Sequence, residues 1–207
     1  NGMNPTPVFP AGASWSAAAP LAYTALSLAS GVSPMSEDID VIELARELIR
    51  FDTRNPPGGE RDCAHYLGKL FEAEGFDVAY YEFDDGRTSL VARTSGAREY
   101  QPLCFTGHLD VVPLGAAGWE RDPFAGEVED GLLHGRGSTD MKGGIAAMTV
   151  AAIDAARQTG GAVALELVFT ASEETGCEGA WHLTGTPGVL TPPGAMVIGE
   201  PTSNYPL

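Results

Sequence analysis

The chain has 207 residues, 43% of them hydrophobic, and a formal net charge of -16 at pH 7. This length accommodates one domain with a hydrophobic core of its own. The acidic balance argues against nucleic acid and anionic membrane surfaces as partners, because both are bound by basic patches. The sequence also has no uninterrupted apolar run of about 18 residues that would span a membrane.

Residues 1–34 contain no Asp, Glu, Lys, Arg or His and are rich in Ala, Pro, Ser and Gly. We expect this segment to be a disordered or non-native extension. The less favoured alternative is a weak export leader, because a secretory signal carries a basic segment ahead of its apolar stretch and this one has none.

The apolar residues that follow Ser36 have helical and strand periodicities. Ser36 is a predicted N-cap, and the first helix has its apolar positions at Ile39, Ile42, Leu44, Leu48 and Ile49. The further predicted elements are a helix over 60–74, strands over 76–83, 89–93 and 103–106, a hairpin over 127–133, a helix over 141–156 and strands over 162–170 and 195–198. Strands that alternate with helices predict a layered α/β domain with a largely parallel sheet.

The three cysteines, Cys63, Cys104 and Cys177, are widely spaced and include no C-x-x-C pair. We therefore expect neither a disulfide framework nor a four-cysteine zinc site. Cys63 and Cys104 lie in apolar surroundings and are interpreted as core thiols. The predicted location is the cytoplasm, whose reducing environment suits free thiols.

Histidine and acidic residues follow the predicted strands. Open α/β sheets place their ligand sites at such strand ends. His108 and Asp110 follow the strand over 103–106. In an extended segment their side chains point to the same side, so Asp110 could hold the second ring nitrogen of a metal-binding His108. A buried histidine beside a hydrogen-bonded aspartate would give the same pattern. Asp140 precedes a helix and is either an N-cap or a ligand, while the glycines around it allow close backbone approach.

Carboxylates follow the last two predicted strands. Glu173 and Glu174 come directly after the strand over 162–170, and Glu200 comes after the strand over 195–198. Adjacent carboxylates repel unless a cation or solvent compensates them, so the pair predicts either a solvated loop or a metal ligand beside a general base. Each position is weak evidence alone. Together, one histidine and several carboxylates at the strand ends of one sheet are the ligands that Zn²⁺ and similar cations take.

Four motifs of the chain closely resemble those of one metallopeptidase family. They are residues 105–113, 135–144, 173–176 and 199–202, accompanied by Trp119 and by Asp122-Pro123-Phe124. The family includes acetylornithine deacetylase, succinyl-diaminopimelate desuccinylase and aminoacylase. The similarity runs from about Met35 to Ser203, and residues 55–58, Asn-Pro-Pro-Gly, are similar to the deacetylase and desuccinylase branch.

The resemblance implies a three-layer helix-sheet-helix catalytic domain of the zinc-peptidase type, with a mostly parallel mixed sheet, of which residues 35–207 would be the N-terminal part. It implies two Zn²⁺, for which Co²⁺ or Mn²⁺ could substitute. His108 and Glu200 would bind one ion and Glu174 the other. Asp140 would bridge the two, with a cis peptide to Met141.

The resemblance further implies a reaction and its substrates. Glu173 would be the general base, and Asp110 would orient His108. The reaction would be hydrolysis of the amide bond of an N-acyl amino acid by water activated between the two metals. A dipeptidase or carboxypeptidase of the same family is an open alternative, because a lid domain selects the substrate. The absence of a G-x-S-x-G motif disfavours a serine hydrolase.

Family members are longer than this chain. We expect the chain to end before a lid or dimerisation domain and before a later histidine ligand of the second metal, with a homodimeric full-length parent. His65, His134 and His182 do not lie in the motif of that ligand. The second metal would then have Asp140, Glu174 and water only, which predicts weak binding. A catalytically inactive fragment or a non-catalytic binding protein is therefore the alternative from another class.

Overall fold

The computed structural model describes residues 39–98 and 100–202. The helices are α1 (Val41–Arg50), α2 (Arg61–Ala73), α3 (Gly143–Thr159) and α4 (Glu178–Gly185). The strands are β1 (Asp77–Asp84), β2 (Arg87–Arg93), β3 (Leu103–His108), β4 (Glu127–Glu129), β5 (Leu132–His134), β6 (Leu165–Thr170) and β7 (Ala195–Ile198). No helix within these ranges is both long and apolar enough to cross a membrane. The predictions for residues 1–34 and for Ser36 lie outside the described residues.

Five strands form one mixed sheet in the order β1-β2-β6-β3-β7, and β4 pairs with β5 in a separate hairpin. The β1–β2 and β2–β6 pairs are antiparallel, whereas β3 runs parallel to both β6 and β7. This arrangement confirms the predicted α/β fold with a mixed sheet. The parallel strands occupy the part of the sheet that carries the candidate site.

The three parallel strands end at the same edge of the sheet. His108, the last residue of β3, pairs with Thr170, the last residue of β6. On the other side of β3, Thr106 pairs with Ile198, the last residue of β7. The segments that follow β3, β6 and β7 therefore leave the sheet side by side, and this brings distant parts of the sequence together.

Helices cover both faces of the sheet. Leu165, Leu167 and Phe169 of β6 face the main core, which also contains buried residues of α1, α2 and α3. Val168 points to the opposite face and packs with Leu183 of α4 in a second, smaller cluster. The two faces alternate along the strand because successive side chains of a strand point in opposite directions. The resulting order of helix, sheet and helix agrees with the expected three layers.

Several boundaries differ from the predicted ones, and three of them have a clear structural description. α1 begins at Val41, because the Asp40 carboxylate accepts hydrogen bonds from the backbone N–H groups of Ile42 and Glu43 at 2.7 and 3.1 Å. β3 extends to His108 instead of ending at residue 106. α3 begins at Gly143 rather than at Met141, which has non-helical dihedral angles.

Candidate metal centre

His108 is the central residue of the site. It is 1% exposed, and its Nδ1 lies 2.9 Å from the backbone oxygen of Asp110 and 3.4 Å from Oδ1 of the same residue. Both of these atoms only accept hydrogen bonds, so Nδ1 is the donor. The other ring nitrogen, Nε2, lies 3.0 Å from Oδ1 of Asp140 and 3.6 Å from Oε1 of Glu200. Asp110 therefore orients the ring so that Nε2 faces two carboxylates.

The charges around His108 favour a cation at this position. Burial lowers the pKa of His108, but the hydrogen bond to Asp110 and the charges of Asp110 and Glu200 outweigh burial and raise that pKa to about 9. In the absence of metal, the imidazolium itself supplies the positive charge that the carboxylates require. A divalent ion bound at Nε2 would replace the proton, because metal-ligating histidine is neutral.

Asp140 enters the site from the turn Ser138–Lys142. Its peptide bond to Met141 is cis, as the family resemblance implies. The N-cap position of α3 is occupied by Lys142, so the interpretation of Asp140 as a simple helix cap is wrong. Its half-exposed side chain instead faces His108.

Asp110 links the end of β3 to the segment after β6 through hydrogen bonds. Its side chain is fully buried. Oδ1 accepts a hydrogen bond from the backbone N–H of Glu173 at 3.0 Å, and Oδ2 accepts one from the backbone N–H of Glu174 at 3.1 Å. Burial raises the pKa of Asp110, but the hydrogen bonds from His108, Asn55 and these two amides lower it below its usual value. Asp110 is therefore an ionised carboxylate whose lone pairs are used within the protein.

Glu173 and Glu174 follow β6 and have different surroundings. Oε1 of Glu174 is buried and has no hydrogen-bond partner among the described residues. Burial and the negative charge of Asp140 raise the pKa of Glu174. A buried carboxylate oxygen without a partner is costly unless a cation compensates it, so this atom fits a metal ligand. Glu173 is also half-buried, with Oε1 3.7 Å from Sγ of Cys177.

The structure brings the predicted ligands together in two overlapping groups. The ligand atoms of His108, Asp140 and Glu200 lie within 4.8 Å of one another, and so do those of His108, Glu173 and Glu174. Burial raises the pKa of Glu200, an effect opposed by the charge of His108. Imidazole nitrogen and carboxylate oxygen form the donor set of zinc sites. The geometry thus fits one or more divalent ions at the carboxyl ends of β3, β6 and β7.

The other histidines of the described ranges lie elsewhere. The ring of His65, in α2, stacks on Tyr80 with a centroid distance of 4.0 Å. His134 ends β5, and His182 lies in α4 with its ring 6.2 Å from that of Phe83. None of the three belongs to a candidate metal group formed by the described residues.

Asn55 also belongs to the site, although residues 55–58 indicated only a branch of the family in the sequence. Its side chain is almost completely buried, and Nδ2 lies 2.8 Å from Oδ2 of Asp110. The signal in the sequence was an amide residue placed directly before Pro56-Pro57, in a loop between two helices. Nothing in the spacing showed that this loop reaches the end of β3.

Comparisons with known proteins agree with this geometry. Residues 104–205 match the sequence model of the family described as Peptidase family M20/M25/M40. The succinyl-diaminopimelate desuccinylase of Wolbachia sp. subsp. Brugia malayi (strain TRS) is 43% identical over 120 residues, which are 56% of this chain and 29% of the relative. The protein of the same name from Acidiphilium cryptum (strain JF-5) is 40% identical over 171 residues, 80% of this chain and 43% of the relative.

Solved structures share the fold. The M20 family metallo-carboxypeptidase Sso-CP2 from Sulfolobus solfataricus superposes with a TM-score of 0.63 at 22% sequence identity. The match covers 80% of this chain and 37% of that protein. The chain thus spans less than half the length of the curated relatives named above.

Proposed function

Because this chain belongs to peptidase family M20/M25/M40, we propose that it carries the metal centre of a hydrolase that cleaves the amide bond of an N-acyl amino acid. The observation that supports this proposal best is the convergence of His108, Asp140, Glu173, Glu174 and Glu200 within two overlapping groups of ligand atoms. The orphaned oxygen of Glu174 supports the presence of a cation there.

The ligands divide between two ions in this proposal. His108 and Glu200 would hold one ion, Glu174 would hold the other, and Asp140 would contact both. We propose Zn²⁺ for both positions, with Co²⁺ or Mn²⁺ as substitutes, because nitrogen and carboxylate oxygen donors suit these ions. Bound divalent ions would polarise the amide carbonyl and lower the pKa of a water molecule toward neutrality.

Glu173 would act as the general base. It would accept a proton from the attacking water while the oxygen of that water forms a bond to the amide carbon. It would then donate the proton to the nitrogen of the leaving amine as the carbon–nitrogen bond breaks. Its place beside the ligands follows from Asp110, which holds the backbone N–H groups of both Glu173 and Glu174.

The substrate class is proposed from the relatives. Two desuccinylases at 43% and 40% identity favour an N-succinyl amino acid, and an N-acetyl amino acid is the next candidate. The fold match to a carboxypeptidase makes short peptides the competing class. A small molecule or short peptide is therefore the expected binding partner of the site.

The test is an assay of the purified protein after loading with Zn²⁺. N-succinyl-L,L-diaminopimelate, N-acetyl-L-ornithine and a Gly-Leu dipeptide would be compared by the release of free amine, with and without a chelator. We expect hydrolysis of an N-acyl substrate that stops on chelation. Cleavage of the dipeptide alone would establish the peptidase alternative. Failure to bind Zn²⁺, together with no hydrolysis of any substrate, would refute the proposal.

A further inference from the structure

We infer that Asn55 is a positioning residue, whose side-chain amide ties the Asp110 carboxylate to the turn that carries Glu173 and Glu174. This inference deepens the proposed function and rests on it for the roles of the two glutamates. Among the described residues, the side chain of Asn55 forms hydrogen bonds with Asp110, Ser172 and Thr175, none of which is a proposed metal ligand or the proposed base. Its effect would therefore be transmitted through the groups that it holds.

The amide of Asn55 spans two segments that are far apart in the sequence. Nδ2 lies 2.8 Å from Oδ2 of Asp110, 2.9 Å from Oγ1 of Thr175 and 3.3 Å from Oγ of Ser172. The residue is 3% exposed, so water does not compete freely for these contacts. An NH₂ group has two hydrogens, which suffice for Asp110 on one side and the hydroxyl groups on the other.

The hydroxyl groups of Ser172 and Thr175 lie 2.9 Å apart, and both are placed to donate to the carboxylate of Glu178. Their oxygens are then free to accept hydrogen bonds from Asn55. Both carboxylate oxygens of Asp110 already accept hydrogen bonds from backbone N–H groups, so the carboxylate faces donors. A donor is therefore required at residue 55, and an aspartate of the same shape would place acceptors against acceptors.

The hydrogen-bond partners of Asn55 flank the two glutamates in the chain. Ser172 and Thr175 lie on either side of Glu173 and Glu174 in the chain, and Asp110 accepts hydrogen bonds from the backbone N–H groups of both glutamates. Asn55 thus holds Asp110 and both ends of the turn at the same time. Loss of the amide would loosen the glutamate side of the site more than the side formed by His108, Asp140 and Glu200.

The loop that presents Asn55 is itself well anchored. The backbone N–H of Asn55 donates to the backbone oxygen of Val111 at 2.8 Å. Further along the loop, the fully buried carboxylate of Glu60 accepts hydrogen bonds from Arg87 at 2.9 and 3.0 Å. Arg87 also donates to the backbone oxygen of Pro57 at 3.3 Å. Side chains fixed on rigid segments are those that position a site accurately.

The first measurement is independent of activity. Amide hydrogen exchange of Glu173 and Glu174 would be followed by NMR in the metal-free protein, its Asn55→Ala variant and a Thr94→Val control. We expect exchange of these two amides to become at least about tenfold faster in Asn55→Ala, because their acceptor Asp110 loses a hydrogen-bond partner. Thr94→Val removes a buried hydroxyl that contacts Val163 and Leu165 at the opposite end of β6, and it should leave both amides unchanged.

The second measurement separates metal binding from catalysis. In the zinc-loaded protein, Asn55→Ala should lower kcat by about 10–100-fold and change KM by less than about threefold. Titration with Zn²⁺ should show that the tighter ion still binds. Thr175→Val should lower kcat in the same direction, and the double variant should lose less than the sum of the two effects, because both residues act through one contact.

The outcomes distinguish this inference from the proposed function. Unchanged exchange of the Glu173 and Glu174 amides in Asn55→Ala would overturn the positioning role, whatever the activity of the protein. A wild-type protein that binds no Zn²⁺ and hydrolyses nothing would overturn the proposed function, while the exchange experiment would still decide whether Asn55 holds the turn. If Thr94→Val and Asn55→Ala lost kcat equally, the loss would come from a general change in stability and not from positioning. This outcome would also refute the inference.

Discussion

Nε2 of His108 lies 3.0 Å from Oδ1 of Asp140, although 32 positions separate the two residues in the chain. The contact joins the end of β3 to the turn that precedes α3. Asp110 fixes the other ring nitrogen of His108, so the orientation of the imidazole is set before any ion binds. In its proposed role as a metal ligand, an imidazole held in this way would lower the entropic cost of metal binding.

Removal of His108 should therefore abolish the tighter metal site. In His108→Ala, we expect the affinity for Zn²⁺ to fall by at least about 100-fold. The variant loses the imidazole that is the proposed metal ligand and that also contacts Asp140 and Glu200. Isothermal titration of the metal-free protein would measure this change. His65→Gln is the matched control, since His65 stacks on Tyr80 outside the candidate groups, and it should bind Zn²⁺ as the wild type does. Equal affinities in the two variants would contradict the assignment of His108.

Substitution of the proposed base should separate metal binding from turnover. In Glu173→Gln, we expect kcat to fall by at least about 100-fold, because the amide cannot accept a proton from water. Zinc content, measured by atomic absorption after dialysis, should remain that of the wild type. Retention of activity by this variant would remove Glu173 from the role of base.

Much of the site could be predicted from local sequence patterns. Short apolar segments such as the one over 195–198 predict strands, and the structure has a strand with these bounds. Because parallel strands end at a common edge, the polar residues that follow β3, β6 and β7 converge there. The convergence of His108 with the carboxylates follows from this rule, whereas their individual roles stay predictions.

Other features depend on contacts that no local pattern contains. α4 was not predicted, because it begins after Cys177 in a left-handed conformation and has no side-chain cap. The later start of α3 arises from the extended dihedral angles of Asp140, which bring its carboxylate to His108. The contact between Asn55 and Asp110 joins residues 55 positions apart. Its existence depends on how the loop after α1 packs against β3.

Glu174 should reveal the electrostatic cost of the site in the absence of metal. In Glu174→Gln, we expect the metal-free protein to gain roughly 1 kcal/mol in the free energy of unfolding, because the variant removes the negative charge of a partly buried carboxylate and its repulsion by Asp140. The same variant should lose only the part of the Zn²⁺ stabilisation that comes from the second ion, because the proposed ligands of the first ion are intact. Urea denaturation with and without Zn²⁺ would measure both effects. A metal-free variant less stable than the wild type would contradict this account of Glu174.

Gly58 should be the most sensitive glycine of the loop that presents Asn55. Its φ of +89° lies in the left-handed region, and a Cβ there would lie 2.2 Å from Nε and 2.3 Å from Cζ of Arg87. Gly58→Ala would therefore disturb the pair that Arg87 forms with Glu60, and we expect it to lower the free energy of unfolding by about 2–3 kcal/mol.

Gly75→Ala is the matched control, because Gly75 has a φ of +81° with no atom within 4 Å of the added Cβ. It should cost only the backbone strain of about 1 kcal/mol. Urea denaturation of both variants would isolate the clash with Arg87, and equal losses would show that the clash is relieved by movement of the Arg87 side chain.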